Sequence, residues 1–263
     1  MQYAFVDGKY LRTHYSEAMR RFFDEVPAID YLALRTFLAS AKLFFYDSLD
    51  ESKREGETDE TARERIATAE TELGQIEATA GCHVRRGSVT GKGVRKRRQK
   101  QVDVLLAVEM LTHGFRQNFE KASLLAGDLD FKPVVDSLVA FGAFVEVCYV
   151  SGHASPKLLM AADERRALTL VEFYAWSGAS FRERHRLPVV RETDSRPGQH
   201  YLCTRSGTFQ GKRVFVTNDV LRHPVGLWVQ QFQKGQDLWI GYHDVEKLDV
   251  YFSMLYGDIE WTS

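Results

Sequence analysis

The stretch Leu124-Leu125-Ala126-Gly127-Asp128-Leu129-Asp130-Phe131 constrains this chain more than any other. A short apolar run closes on glycine, presents two aspartates one residue apart, and then opens a new amphipathic segment. Such a run is expected as a parallel strand buried on both faces, with the acids at its tip. In open α/β sheets ligands gather beyond the carboxyl ends of the strands. Aspartates fixed there are oxygen ligands suited to a hard divalent cation.

The rest of the chain supplies partners for that strand. Tyr3-Ala4-Phe5-Val6 reads as a first strand with Asp7 at its tip. Helical spacing runs from about Ser16 to Phe37, interrupted at Pro27. Ala41 to Tyr46 reads as a second strand, Asp50 to Glu57 as a charged loop, and Thr58 to Ala80 as a polar helix capped by Thr58. Cys82 to Val89 reads as a strand broken by Gly87, and Val102 to His113 as a helix. Ala122 to Leu125 is the opening strand, followed by a helix over Phe131–Phe141 and a strand over Phe144–Val150. A short helix at Pro156–Ala162 and a strand at Leu168–Phe173 follow. Alternation of this kind implies a parallel sheet sandwiched by helices, an α/β fold of Rossmann-like character.

After about Leu187 the pattern changes to short aromatic and β-branched runs between glycines and prolines. The runs are Tyr201–Thr204, Val214–Thr217, Leu227–Val229, Leu238–Ile240 and Tyr251–Leu255. We expect two domains, residues 1–186 and a small β-rich appendage over 187–263. The tryptophans Trp228, Trp239 and Trp261 are expected in the core of that appendage.

Four acids fall at strand tips or helix starts: Asp7, Asp103, Asp128 and Asp130. Each also has an ordinary reading. Asp7 suits a turn before Gly8, Asp103 a helix start, and Asp130 the N-cap of the following helix with Pro133 in its first turn. Gathered together, four carboxylates need a counter-charge, which Mg²⁺ or Mn²⁺ supplies. Carboxylates without His or Cys favour those ions over zinc. Glu109 lies six residues beyond Asp103, roughly 120° around a helix, and is expected behind the acids or on the surface. The eight histidines show no paired metal spacing and are expected to be structural or on the surface.

From Arg85 to Lys100 there are eight basic residues and no acid: Arg85, Arg86, Lys92, Arg95, Lys96, Arg97, Arg98 and Lys100. A basic, glycine-containing loop beside an acidic site suits a phosphodiester backbone. Lys9 and Arg12 extend the same path.

Three blocks carry a family resemblance. They are Phe5-Val6-Asp7-Gly8-Lys9-Tyr10-Leu11, the run from Lys100 to Met110, and Ala126-Gly127-Asp128-Leu129-Asp130-Phe131. In order and spacing they resemble the signature blocks of NYN domains, within the PIN-like superfamily of metal-dependent nucleases, over about residues 1 to 180. The resemblance implies a PIN-like parallel sheet, one or two divalent ions held by Asp7, Asp103, Asp128 and Asp130, and endonucleolytic cleavage of RNA. The chain departs from the family pattern at Tyr10, where Asn is usual, at Gln101, where Gly is usual, and at Glu109, where Asp is common. Tyr10 and Glu109 are therefore expected to support the acids rather than replace one.

The expected activity is a metal-dependent endoribonuclease acting on single-stranded or structured RNA. The alternative is a catalytically weak or inactive module that binds RNA or protein. DNA is not excluded as a substrate. The appendage is the expected site for a second copy of the chain or a protein partner. Lys and Arg number 35 against 36 Asp and Glu, so global charge selects no partner. Three widely separated cysteines suit a reduced, cytoplasmic protein. No signal peptide and no membrane span are expected.

Overall fold

The computed structural model describes residues 1–49, 53, 56–87, 95–193, 201–219 and 225–262, with the backbone alone at 95–100, 201 and 219. Lys92, the Gly91 and Gly93 turn, the end of the expected strand at Val89 and most of the Asp50–Glu57 loop lie outside these residues.

The chain runs β1 (Gln2–Asp7), α1 (Gly8–Phe23), α2 (Tyr31–Phe37), β2 (Lys42–Asp47), α3 (Asp59–Ala78), β3 (Cys82–Arg86) and α4 (Arg95–Phe115). It continues through β4 (Lys121–Leu125), a 3₁₀ turn (Leu129–Phe131), α5 (Lys132–Phe141), β5 (Phe144–Val150), α6 (Pro156–Ala161) and β6 (Glu164–Leu168). Two short helices follow, α7 (Leu170–Ala175) and α8 (Ala179–Arg184). The last elements are β7 (Val189–Thr193), β8 (Tyr201–Phe209), β9 (Lys212–Asp219), β10 (Val225–Gln233), β11 (Gln236–Tyr242), α9 (Val245–Leu255) and β12 (Glu260–Trp261).

The first sheet is parallel, in the order β3-β2-β1-β4-β5-β6. The chain winds outward from β1 to β3 and then crosses to β4 on the other side of β1. The tips of β1 and β4 therefore flank the point where the strand order reverses, the usual ligand crevice of such sheets. Val6 pairs with Leu125, so Asp7 and Asp128 leave adjacent strand ends. Phe5, Val6, Leu124, Leu125, Val145 and Val147 are buried on both faces, as their continuous apolar runs require. Each such side chain contributes roughly 1.5–3 kcal/mol relative to exposure, so the strand tips are held by a firm base.

The second sheet is antiparallel, in the order β12-β8-β9-β10-β11-β7. One of its faces, carrying Val214, Val216, Leu227, Val229, Leu238 and Ile240, is buried, and α9 packs on β10 and β11 through buried Leu248, Tyr251 and Phe252. Trp228 stacks on Phe215 at 6.1 Å and donates its indole N–H to Thr217 at 3.0 Å, as a core tryptophan does. Trp261 instead carries the Arg205 guanidinium on its ring, 3.9 Å from the centroid. The chain divides into two compact units. One is Met1–Glu17, Ala28–Leu168 and Ala175–Gly178; the other is Ala18–Pro27, Thr169–Tyr174 and Ala179–Ser263.

Thr58 caps α3 as expected, in a reciprocal pair with Thr61. Elsewhere the structure corrects the sequence reading. The expected strand at Leu168–Phe173 is the helix α7, begun by Thr169, whose N–H and hydroxyl both bond the Glu172 carboxylate at its third position. The sixth strand is instead Glu164–Leu168, a charged edge strand. Tyr251–Leu255 is not a strand but the last turns of α9, which Asp244 caps. Helix α1 starts at Gly8, well before Ser16, and α4 starts at Arg95, seven residues before Val102. Arg95 to Lys100 is therefore helix rather than loop. Among the described residues no helix is long and apolar enough to cross a membrane.

Candidate active site at the carboxyl edge of the parallel sheet

Asp7 ends β1, and the chain turns into α1 with no intervening loop. Gly8 makes that turn fit: a Cβ there would sit 2.5 Å from the Phe45 ring and 2.9 Å from the Tyr46 carbonyl on β2. The Asp7 carboxylate accepts the Tyr10 N–H at 3.0 Å, in the manner of a helix cap. Only 8% of Asp7 is exposed. Burial pushes its pKa up, hydrogen bonds from the Tyr10 and Lys9 backbone and the Lys9 charge pull it down, and the Asp128 charge raises it again.

Asp128 stands at the end of the loop leaving β4. Its carboxylate accepts the Asp130 N–H at 3.0 Å, so Asp128, not Asp130, is the cap of the turn that leads into α5. Pro133 falls in the first turn of α5, as expected. The side chains of Asp128 and Asp130 face solvent. Gly127 permits a close approach: a Cβ there would lie 2.2 Å from the His153 carbonyl and 2.6 Å from the Tyr10 ring.

Asp103 is not at a helix start. It is the ninth residue of α4, half-buried, and Leu106 and Met110 lie three and seven positions on, both buried. That spacing puts Asp103 on the helix face turned towards the sheet. Glu109 accepts the Tyr46 hydroxyl at 2.8 Å and the Arg85 Nε at 2.8 Å, so it joins β2, β3 and α4 rather than the tips of β1 and β4. The Tyr46 hydroxyl is held far from ionisation by burial and by this carboxylate.

Several residues of the expected phosphate path have carboxylate partners. Arg12 is paired with Asp47 at the tip of β2 and with Glu72 at 3.2 Å, and Glu72 also accepts the Tyr31 hydroxyl. Arg85 is paired with Glu109, and Arg86 with Glu77 at 3.4 Å. Lys9 is exposed beside Asp7 and acts on its charge. Arg95 to Lys100 form the first turns of α4.

Tyr10 stands inside the site. Its hydroxyl accepts the Val150 N–H from the end of β5 at 2.9 Å, and its pKa is pushed up to about 12, chiefly by burial. Its ring lies edge-on to His14, centroids 4.5 Å apart, and His14 lies against His153 at 4.4 Å. Sequence reading placed no histidine here. His14 is detectable only as a member of the 10, 14, 17 stripe along α1, and His153 only through the fold.

The donor chemistry at the two strand tips, a buried carboxylate beside an exposed one, fits a hard divalent cation. Among the described residues no group of three or more His, Cys, Asp or Glu is gathered closely enough to hold one. The structure thus sets Asp7 and Asp128 beyond adjacent strand ends, with the charge of Asp128 felt at Asp7, contributes Asp130 through its backbone, and places Asp103 on the neighbouring helix.

The family model for the NYN domain matches residues 3–169. A solved structure of a Vibrio parahaemolyticus protein of unknown function is 14% identical, with a TM-score of 0.46, over 64% of this chain and 91% of that one. No curated protein matches significantly.

Proposed function

The chain belongs to the NYN domain family, and from that premise we propose that it is a metal-dependent endoribonuclease hydrolysing RNA phosphodiesters. The observation that carries the reading is Asp7, a carboxylate buried at the switch point of a parallel sheet and held from ionising chiefly by that burial, with the charge of Asp128 adding to it. A buried carboxylate is disfavoured in its charged form without a counter-ion, and perturbed carboxyls of this kind mark functional sites.

Asp7 and Asp128 would hold Mg²⁺ or Mn²⁺, and Asp103 and Asp130 would complete the set that the family resemblance implies. A bound divalent ion supplies charge neutralisation and a more acidic water as nucleophile. The Tyr10 N–H holds one oxygen of Asp7 in place. Lys9 and the basic first turns of α4 draw the phosphate backbone to this edge. The pattern recognises backbone charge and is neutral between RNA and DNA; matched RNA and DNA strands separate the two. The test is cleavage of RNA with Mn²⁺ or Mg²⁺, which Asp128→Asn abolishes while the fold is retained.

A second reading, an RNA-binding module that does not cut, draws on Tyr10, whose ring packs at Gly127, next to Asp128. Calorimetry with Mn²⁺ separates the readings. Specific binding lost in Asp7→Asn supports the nuclease. RNA affinity with no metal binding supports the module.

A further inference from the structure

We infer that His14 and His153 form a phosphate-binding subsite beside the acidic pair, gripping the RNA backbone next to the scissile bond. The inference rests on the nuclease reading and adds a residue pair to it.

The placement comes from two separate elements. Tyr10, His14 and Glu17 are spaced four and three residues apart, so they line one stripe of α1 that starts just after Asp7 and runs away from the strand tip. His153 comes from the loop after β5, whose course is fixed to the acid-bearing loop: the Ser155 N–H donates to the Gly127 carbonyl at 2.9 Å, and the His153 carbonyl lies over Gly127. The imidazole centroids are 4.4 Å apart with planes inclined at 47°. Tyr10, anchored through its hydroxyl to the Val150 N–H, forms the wall between this pair and Asp7.

The chemistry of the pair asks for an anion. Glu17 sits 3.2 Å from His14 Nδ1, so His14 donates there when that nitrogen is protonated and its Nε2 is left to serve a ligand. Glu17 serves only one of the two rings. The groups acting on His14 are its own burial and His153, which disfavour its charge, and Glu17, which favours it; Tyr10 is neutral there. Two imidazoles in contact resist double protonation, and a phosphodiester oxygen against both relieves that repulsion. Protonation then adds a charge-assisted hydrogen bond to a backbone phosphate. The subsite strengthens as pH falls towards the histidine range.

The experiment is fluorescence anisotropy with a labelled single-stranded RNA in EDTA, comparing wild type with His14→Gln, His153→Gln and the double variant. Between about pH 8 and pH 6 wild-type affinity rises roughly tenfold more than that of the double variant, the size of one charged hydrogen bond. His153→Gln alone, on an exposed side chain, shows most of the loss and stands in for His14→Gln should that variant misfold. Asp7 protonation acts equally in all four proteins, so the difference isolates the histidines. Equal pH dependence in wild type and the double variant overturns the subsite while leaving the nuclease reading intact. Wild type that neither binds nor cleaves RNA at any pH overturns both.

Discussion

Asp7 at the tip of β1 is held from ionising chiefly by its burial, and the charge of Asp128 beyond the tip of β4 adds to that effect. Both also cap the segment that follows, Asp7 through the Tyr10 N–H and Asp128 through the Asp130 N–H. Each of these acids therefore serves twice: the hydrogen bond that starts a helical segment also holds the carboxylate beside its strand tip.

Asp7→Asn keeps an oxygen for the Tyr10 N–H and removes a buried charge. The folded protein holds the Asp7 pKa above its ordinary value, so the neutral form favours the fold. That contribution is present below the ordinary carboxylate range and is lost as pH rises through the raised folded value. At neutral pH and without metal, Asp7→Asn is accordingly more stable than wild type. A Tm higher by ~2–4 °C corresponds to roughly 1 kcal/mol in a chain of this size. The gap closes on acidification, and cleavage is lost at every pH. Thermal scans across pH with EDTA check this; a variant less stable than wild type at neutral pH contradicts it.

Gly127→Ala tests the packing of the site without touching an acid. The added methyl meets the His153 carbonyl and the Tyr10 ring, one of which must move. Overpacking of this kind costs roughly 1–3 kcal/mol. Tyr10→Phe leaves the Val150 N–H without its acceptor, a cost of roughly 1–3 kcal/mol. Both variants lower the urea midpoint and weaken cleavage, with all four aspartates present.

The basic residues divide into two groups. Arg85 is held by Glu109 and lies over the Phe44 ring. Arg85→Ala therefore acts on stability, by roughly 1 kcal/mol, and leaves the salt dependence of RNA binding unchanged. Lys9→Ala acts the other way: Lys9 is exposed beside Asp7, so its loss lowers the slope of log affinity against log salt by about 1 and leaves Tm nearly unchanged. A salt slope that falls with Arg85→Ala reassigns that residue to the nucleic-acid path.

Much of this arrangement was legible from residues alone. β1, β2, β4 and β5 announce themselves as apolar runs ended by a polar tip, because strands covered on both faces have no polar side to show. β6 escaped notice because it lies at the sheet edge, where Glu164, Arg165 and Arg166 are tolerated, while the apolar Leu170–Ala175 beside it forms a helix. The start of α4 was hidden by charge. Arg95 to Lys100 looks like a solvated loop, yet Arg, Lys and Gln are good helix formers, and their helix carries Asp103 into its third turn. α9 showed helical spacing at Val245, Leu248, Phe252 and Leu255, but its aromatic residues suggested a strand. The His14–His153 contact joins residues 139 positions apart and leaves no local signal.

The central claim is that the acids at the tips of β1 and β4 work through a divalent ion to cut RNA. It is tested most directly by incubating wild type and Asp128→Asn with total cellular RNA, with Mn²⁺ or with excess EDTA. Cleavage by wild type with Mn²⁺, none in EDTA, and none by the folded Asp128→Asn protein is the predicted result. Cleavage that persists in EDTA, or that Asp128→Asn performs as well as wild type, contradicts the account.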